Sequence, residues 1–247
     1  MRIDVVTIFP QLVDGAVGHG IMGRALAAGL VQLRVVNLRD YATDRHRTTD
    51  DKPCGGGGGM IMKPEPLFRA VEDLQQPGNP ARIILTDPQG TVFNQAKAKE
   101  LAQEAHLIFL CGRYEGVDER VRRYLATDEL SIGDYVLSGG ELPALVMMDA
   151  VVRLLPGALG NADAPGQDSF SEGLLEYPQY TLPRDFRGWK VPEILFCGHH
   201  ERIRKWRRWH QLVRTQERRP DLWRSFRPTP EDVQLLESGE PLDEANP

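Results

Sequence analysis

Four short segments of this 247-residue chain combine glycine with polar or acidic residues: Thr86–Gly90 (TDPQG), Cys111–Arg120 (CGRYEGVDER), Ser131–Pro143 (SIGDYVLSGGELP) and Pro53–Met60 (PCGGGGGM). Glycine lets backbone amides approach a ligand closely and adopt positive φ, and several converging amides make a cradle for an anion or a nucleobase edge. Five glycines in a row also read as a flexible tether. This run, however, follows a charged segment (Thr48–Pro53) and precedes Met60-Ile61-Met62, so it sits inside a domain and reads better as a site loop. None of the four segments has the GxxxxGK[ST] pattern of a nucleoside-triphosphate loop or the GxGxxG of a dinucleotide site. Each alone is compatible with a plain turn, but four of them ending strands suggest convergence on one ligand.

The elements that would hold these loops alternate. Short apolar, β-branched runs at Ile3–Phe9, Val31–Leu38, Arg82–Thr86 and Leu107–Cys111 predict buried strands. Helix-period segments lie between and after them: Leu12–Ala28, Pro66–Gln75, Asn94–Ala105 (opened by Asn94 as N-cap), Val117–Leu125 and Leu142–Leu155. Strand and helix in turn predict an α/β domain with a largely parallel sheet, whose ligands sit beyond the carboxyl ends of its strands.

Composition changes after Pro156. Residues 157–185 are rich in Gly, Pro, Asp and Ser and show little periodicity, which reads as a linker. Residues 199–227 then carry ten Arg or Lys against three acids, with Trp206, Trp209 and Trp223 interleaved. Such a face suits RNA phosphates and unpaired bases, although the tryptophans read mostly as a small helical core. The tail beyond Pro228 is acidic, and Thr229 ahead of Glu231-Asp232 predicts a capped helix. The overall charge of -5 excludes a wholesale polyanion binder, so any nucleic-acid face must be local. Cys54, Cys111 and Cys197 are odd in number, widely spaced and without a CxxC pair, which points to reduced thiols, no zinc site and a cytoplasmic location. Neither a signal peptide nor a membrane span is expected.

The segments DDKPCGGGGGM, CGRYEGVDERV, SIGDYVLSGGELPALVMMDAVVRLLPG and DSFSEGLLEYPQYT, in this order, resemble the bacterial TrmD-type tRNA (guanine-N1)-methyltransferases of the SPOUT superfamily. The resemblance covers nearly the whole chain, and SGGELP and DSF are its most specific parts. It implies a SPOUT-type α/β domain with a deep trefoil knot over residues 1–160, an interdomain linker over 161–175, and a small all-helical tRNA-binding domain over 176–247. The knot does not follow from strand and helix patterning, which points to an unthreaded sheet. The family works as a homodimer with its sites at the subunit interface. It transfers a methyl group from S-adenosyl-L-methionine to N1 of guanine 37, beside the tRNA anticodon, and its activity is magnesium-dependent; no metal-ligand spacing here identifies a metal site.

Carried over by position, the resemblance assigns the cofactor pocket to Thr86, Pro88, Gly112, Tyr114, Glu115, Ile132, Gly133, Tyr135, Leu137, Gly139, Gly140 and Pro143. Ile132 and Leu137 also read as ordinary core. The same carry-over makes Asp168 the general base and Arg153 the cation that stabilises charge on guanine O6. Without it, Asp168 in DSFSE reads as a helix cap and Arg153 as a surface charge. Asp168 lies in the expected linker, which implies that tRNA orders that segment for catalysis. Cys54 and Gly58 depart from the family's PYGGGPGM loop, where an aromatic and a proline stand, and Glu176 replaces a common aspartate. Two rival functions remain from the sequence: a tRNA-binding factor with an inherited, inactive pocket, and a dinucleotide-dependent oxidoreductase disfavoured by the missing fingerprint.

Overall fold

A computed structural model of the chain describes residues 1–75, 78, 80–161, 166 and 168–241. Its contacts cluster into two units, Met1–Ala162 and Asp163–Pro247. Of the expected linker 161–175, residues 162–165 and 167 lie outside the described residues.

The first unit is built on five strands: β1 (Arg2–Thr7), β2 (Gln32–Asn37), β5 (Arg82–Val92), β6 (His106–Cys111) and β7 (Asp128–Ser131). They run parallel in the order β2-β1-β6-β5-β7. Two-residue strands β3 (Asp50–Asp51) and β4 (Ile61–Met62) pair antiparallel and form the base of the glycine loop. Alternate residues of the buried strands face opposite ways, as the two-residue period requires. Ile3, Val5, Ile84, Leu107 and Phe109 pack with α1 (Pro10–Val17), α2 (Gly20–Ala27), α4 (Gln95–Leu101) and α6 (Glu141–Val152). Val6, Ile83, Leu85, Ile108 and Leu110 pack with α3 (Pro64–Leu74) and α5 (Glu119–Tyr124).

Three local departures from the sequence reading have plain causes. The helix expected over Leu12–Ala28 is two helices, broken at Gly18-His19, and Gly20 has φ +62°. β7 escaped notice because Asp128 and Glu129 break the apolar run, leaving Leu130 and Ser131 as its buried residues. β5 outruns its expected end at Thr86: both Thr86 and Thr91 pair with Leu130, so Asp87–Gly90 is looped out of the ladder. The N-cap at Asn94 is formed, its side chain accepting from the Lys97 N–H at 3.0 Å.

Among the described residues of the second unit, irregular chain with one hairpin, β8 (Asp185–Phe186) with β9 (Trp189–Lys190), precedes a helical part. Its helices are α7 (His200–Arg218), α8 (Pro220–Ser225) and α9 (Pro230–Ser238). Trp206 and Leu212 are its fully buried centre, while Trp209 and Trp223 are half-buried. Thr229 and Asp232 form a reciprocal capping box at the start of α9, and Arg208 of α7 grips the Asp232 carboxylate with two hydrogen bonds of 2.7 and 3.0 Å.

Candidate active site

Thr86, Cys111 and Ser131 lie where β5, β6 and β7 deliver their loops, side by side at the carboxyl edge of the sheet. The three loops enclose a cleft of about 210 Å³. All twelve residues assigned to the cofactor line it: Thr86 and Pro88 from the first loop, Gly112, Tyr114 and Glu115 from the second, and the remaining seven from the third. Ile132 also packs on the adjoining core and is half-buried, whereas Tyr135 and Leu137 are exposed.

Backbone contact holds the cleft together. The Gly140 N–H donates to the Gly112 carbonyl at 2.8 Å, and Thr86 Oγ1 donates toward the Leu110 and Gly140 carbonyls at 3.1 and 3.3 Å. A Cβ on Gly140 would overlap the Thr86 hydroxyl and sit 2.8 Å from Cys111 Cα, so only glycine lets the third loop close on the second. Gly133, at φ +143°, takes a conformation that side chains rarely adopt.

A buried polar cluster under the cleft was not flagged by sequence reasoning. Glu141, the first residue of α6, is 1% exposed; it accepts from Thr7 Oγ1 at 2.6 Å and from Arg113 Nε at 3.0 Å. Arg113 also donates to the Ser138 carbonyl at 3.1 Å and lies 4.5 Å over the Phe9 ring, joining the second loop, the third loop and the start of α1. The available signal was a carboxylate at a helix start directly after two glycines, where the helix dipole favours it. Burial, reinforced by the Glu141 carboxylate, pushes the Cys111 thiol well above its ordinary value, so it stays protonated and is no nucleophile.

The glycine run does not line this cleft but leans on one of its loops. The Glu115 N–H donates to the Met60 carbonyl at 3.0 Å, the Met62 N–H to the Gly116 carbonyl at 2.9 Å, and Gly59 packs against the Glu115 side chain. Gly55, Gly56, Gly57 and Gly59 all have positive φ, so four of the five glycines hold backbone that other residues would strain. Gly58 does not share that conformation.

The two residues assigned to catalysis belong to different units. Arg153 is the half-buried C-cap of α6 in the first and is not among the residues lining the cleft. Asp168 belongs to the second, where it lines a cavity of about 840 Å³ together with Tyr177, His200, Arg204, Arg207 and Arg208. No helix begins at Asp168: residues 168–175 are turns and bends, with Phe170 at φ +72°. This segment is tied to α7 through the Leu175 N–H and Thr215 Oγ1 at 2.8 Å, and Leu174 is buried. Among the described residues no cluster of three or more His, Cys, Asp or Glu has metal-binding proximity, and no helix is long and apolar enough to cross a membrane.

A five-stranded parallel sheet with a glycine-walled cleft beyond its strand ends defines an α/β protein of the SPOUT type. A family model described as tRNA (Guanine-1)-methyltransferase TrmD matches residues 1–225. A tRNA (guanine-N(1)-)-methyltransferase of Halalkalibacterium halodurans is 56% identical over 239 residues, covering 96% of this chain and 97% of that protein. One of Moorella thermoacetica is 57% identical over 239 residues, covering 96% of each, and one of Staphylococcus aureus is 52% identical over 237 residues with the same coverage. The chain belongs to the tRNA (guanine-1)-methyltransferase family.

Proposed function

We propose that the chain transfers a methyl group from S-adenosyl-L-methionine to N1 of guanine 37 in tRNA. The observation that carries this reading is the convergence of three strand-end loops on one cleft that five glycines help to line, in a chain of this family. Such walls suit a nucleoside: main-chain N–H and C=O groups can read the adenine edge and ribose, and the missing Cβ atoms leave room for them. Glu115, at the mouth, would face the cationic end of the cofactor. When bound, the cofactor supplies an electrophilic methyl group.

The chain must supply the rest. Guanine N1 carries a proton at neutral pH, so its lone pair is available only once a base removes that proton. Asp168 is the assigned base, a role worth roughly 10²–10⁴-fold in rate. As the proton leaves, negative charge spreads to O6, and the guanidinium of Arg153 answers it most strongly in the transition state. Because Asp168 and Arg153 belong to different units, the proposal includes ordering by tRNA, read as increased hydrogen-exchange protection of residues 168–175 on tRNA binding. Taking a base from the loop costs little when it is already single-stranded.

The chain is further proposed to act as a homodimer in the cytoplasm. Leu142 and Val146 on α6, with Phe9 and Leu12 at α1, leave 41–57% of their surfaces exposed on neighbouring helices, an apolar face suited to a second subunit. Magnesium enters only through the family resemblance. The deciding experiment is mass mapping of nucleosides in a guanine-37 tRNA after reaction with S-adenosylmethionine, for the native chain and for Asp168→Asn. Formation of 1-methylguanosine at that position, lost in the variant, is expected. No product from the native chain would leave a binding factor as the better account, and undiminished turnover in the variant would reject Asp168 as the base.

A further inference from the structure

The second unit holds a cavity that the proposed methyl transfer does not use. It measures about 320 Å³, and its walls include the rings of Tyr177, Tyr180, Phe196 and Trp206. Trp206 is buried, 1% exposed, with its ring centroid 6.4 Å from that of Tyr180, which is 50% exposed. Two guanidinium groups rest on the rings: Arg184 lies 3.9 Å over Phe196 and Arg207 4.9 Å over Tyr177.

Part of the basic region is neutralised internally. Arg204 pairs with Glu201 and Glu231, Arg208 with Asp232 and Glu172, and Arg219 with Asp221. Arg184 and Arg207 are exposed and make no ion pair among the described residues. Aromatic walls flanked by unanswered positive charge suit a ligand that is both flat and anionic, which is what an unstacked nucleotide presents. An apolar protein side chain would fill the aromatic slot but leave both cations unanswered.

The cavity also has an informative neighbour. Tyr177, Ile203 and Arg207 line both this cavity and the one containing Asp168, so the two share a wall. We infer that the aromatic cavity receives an unstacked nucleobase flanking the one presented to Asp168, with Arg207 on the phosphate that links them. This rests on the RNA-methylating reading of the Asp168 site. Stacking on an aromatic ring such as the half-exposed Tyr180 is tolerant of base identity, so the cavity fixes the path of the loop rather than its sequence.

Tyr180→Ala in the full-length chain is the test, because a half-exposed ring can be removed with Trp206 and Leu212 left in place; an unchanged thermal transition of the tryptophan signal checks this. Its affinity for tRNA should fall roughly 5- to 150-fold. The slope of log affinity against log salt should not change, because no cation is lost, whereas Arg207→Ala should lower that slope by about one. Tyr180→Phe should restore binding. Against anticodon stem-loops each lacking one loop base, the Tyr180→Ala penalty should vanish for one RNA, abasic next to the methylated guanine. Unchanged tRNA affinity in Tyr180→Ala, a penalty persisting on every abasic RNA, or a shift in sedimented mass in place of RNA affinity would each overturn the inference. Absence of methylation by the native chain would instead reject the reaction, while the binding data still judge the cavity.

Discussion

The cleft of the first unit and the basic helix of the second are built in opposite ways. The cleft is rich in glycine: Gly112, Gly133, Gly139 and Gly140 line it, and two nearby arginines are held by acids, Arg113 by Glu141 and Arg122 by Asp87. The basic region relies on long side chains, several of them neutralised internally by Glu201, Asp221, Glu231 and Asp232. Backbone held by neighbouring loops is rigid and suits a small molecule of fixed shape. Long cations adapt, and suit a polymer whose phosphates recur along a flexible loop. A count of basic residues therefore overstates the unpaired charge of unit 2.

The contrast can be broken in order of effect. Asp168→Asn should slow single-turnover methylation by roughly 10²–10⁴-fold with cofactor affinity unchanged, and Arg153→Ala by roughly 10²–10³-fold. Equal loss of cofactor binding in either would show that it serves the cleft rather than the chemistry.

Asp232→Ala removes both a cap and the partner of Arg208, and should destabilise the second unit by about 2–4 kcal/mol. All four tryptophans, Trp189, Trp206, Trp209 and Trp223, lie in that unit, so their fluorescence reports its unfolding alone. Hydrogen bonding from Arg208 holds the Asp232 carboxyl below the usual carboxylate range. A lowered folded value means this stabilisation is present above the unfolded value, about 3.9, and is lost as pH falls through the folded one. The acid limb of the tryptophan-detected stability curve should therefore flatten in Asp232→Asn. An unaltered limb would assign acid sensitivity to other carboxylates.

Gly140→Ala attacks the other unit. Overlap with Thr86 and Cys111 should cost about 1–3 kcal/mol and weaken S-adenosylmethionine binding, measured calorimetrically, while the tryptophan transition stays in place. Native cofactor affinity would refute the claim that backbone closure builds the cleft. The smallest effect is expected from Gly58→Pro. Gly58 is the residue of the run without positive φ, and no hydrogen bond from its N–H is present among the described residues, so proline should stabilise the first unit by about 0.4–1 kcal/mol in chemical denaturation. Destabilisation would mean that the loop requires glycine there too.

Much of the sheet was readable because β1, β2, β6 and the first half of β5 are short apolar runs bounded by breakers. The loops of the cleft were readable because glycine clusters where side chains cannot fit. Glu141 was not, because an acid at a helix start is ordinarily solvated; nothing local says that Thr7, far away in the chain, supplies its hydroxyl. Which arginines of α7 meet an acid was not readable for a related reason. Their number is a matter of composition, but whether each meets an acid depends on α9 folding back so that Glu231 and Asp232 reach Arg204 and Arg208.

Local residue order was sufficient to specify β1, β2, β6 and the first half of β5, the caps at Asn94 and Thr229, and the glycine loops of the cleft, since these depend on neighbours within a few positions. The strand sequence across the sheet, the meeting of Gly140 with Gly112, and the internal neutralisation of the basic helix arose from folding alone. Each joins residues far apart in the chain, and the energy of such contacts depends on separations that no one-dimensional pattern contains.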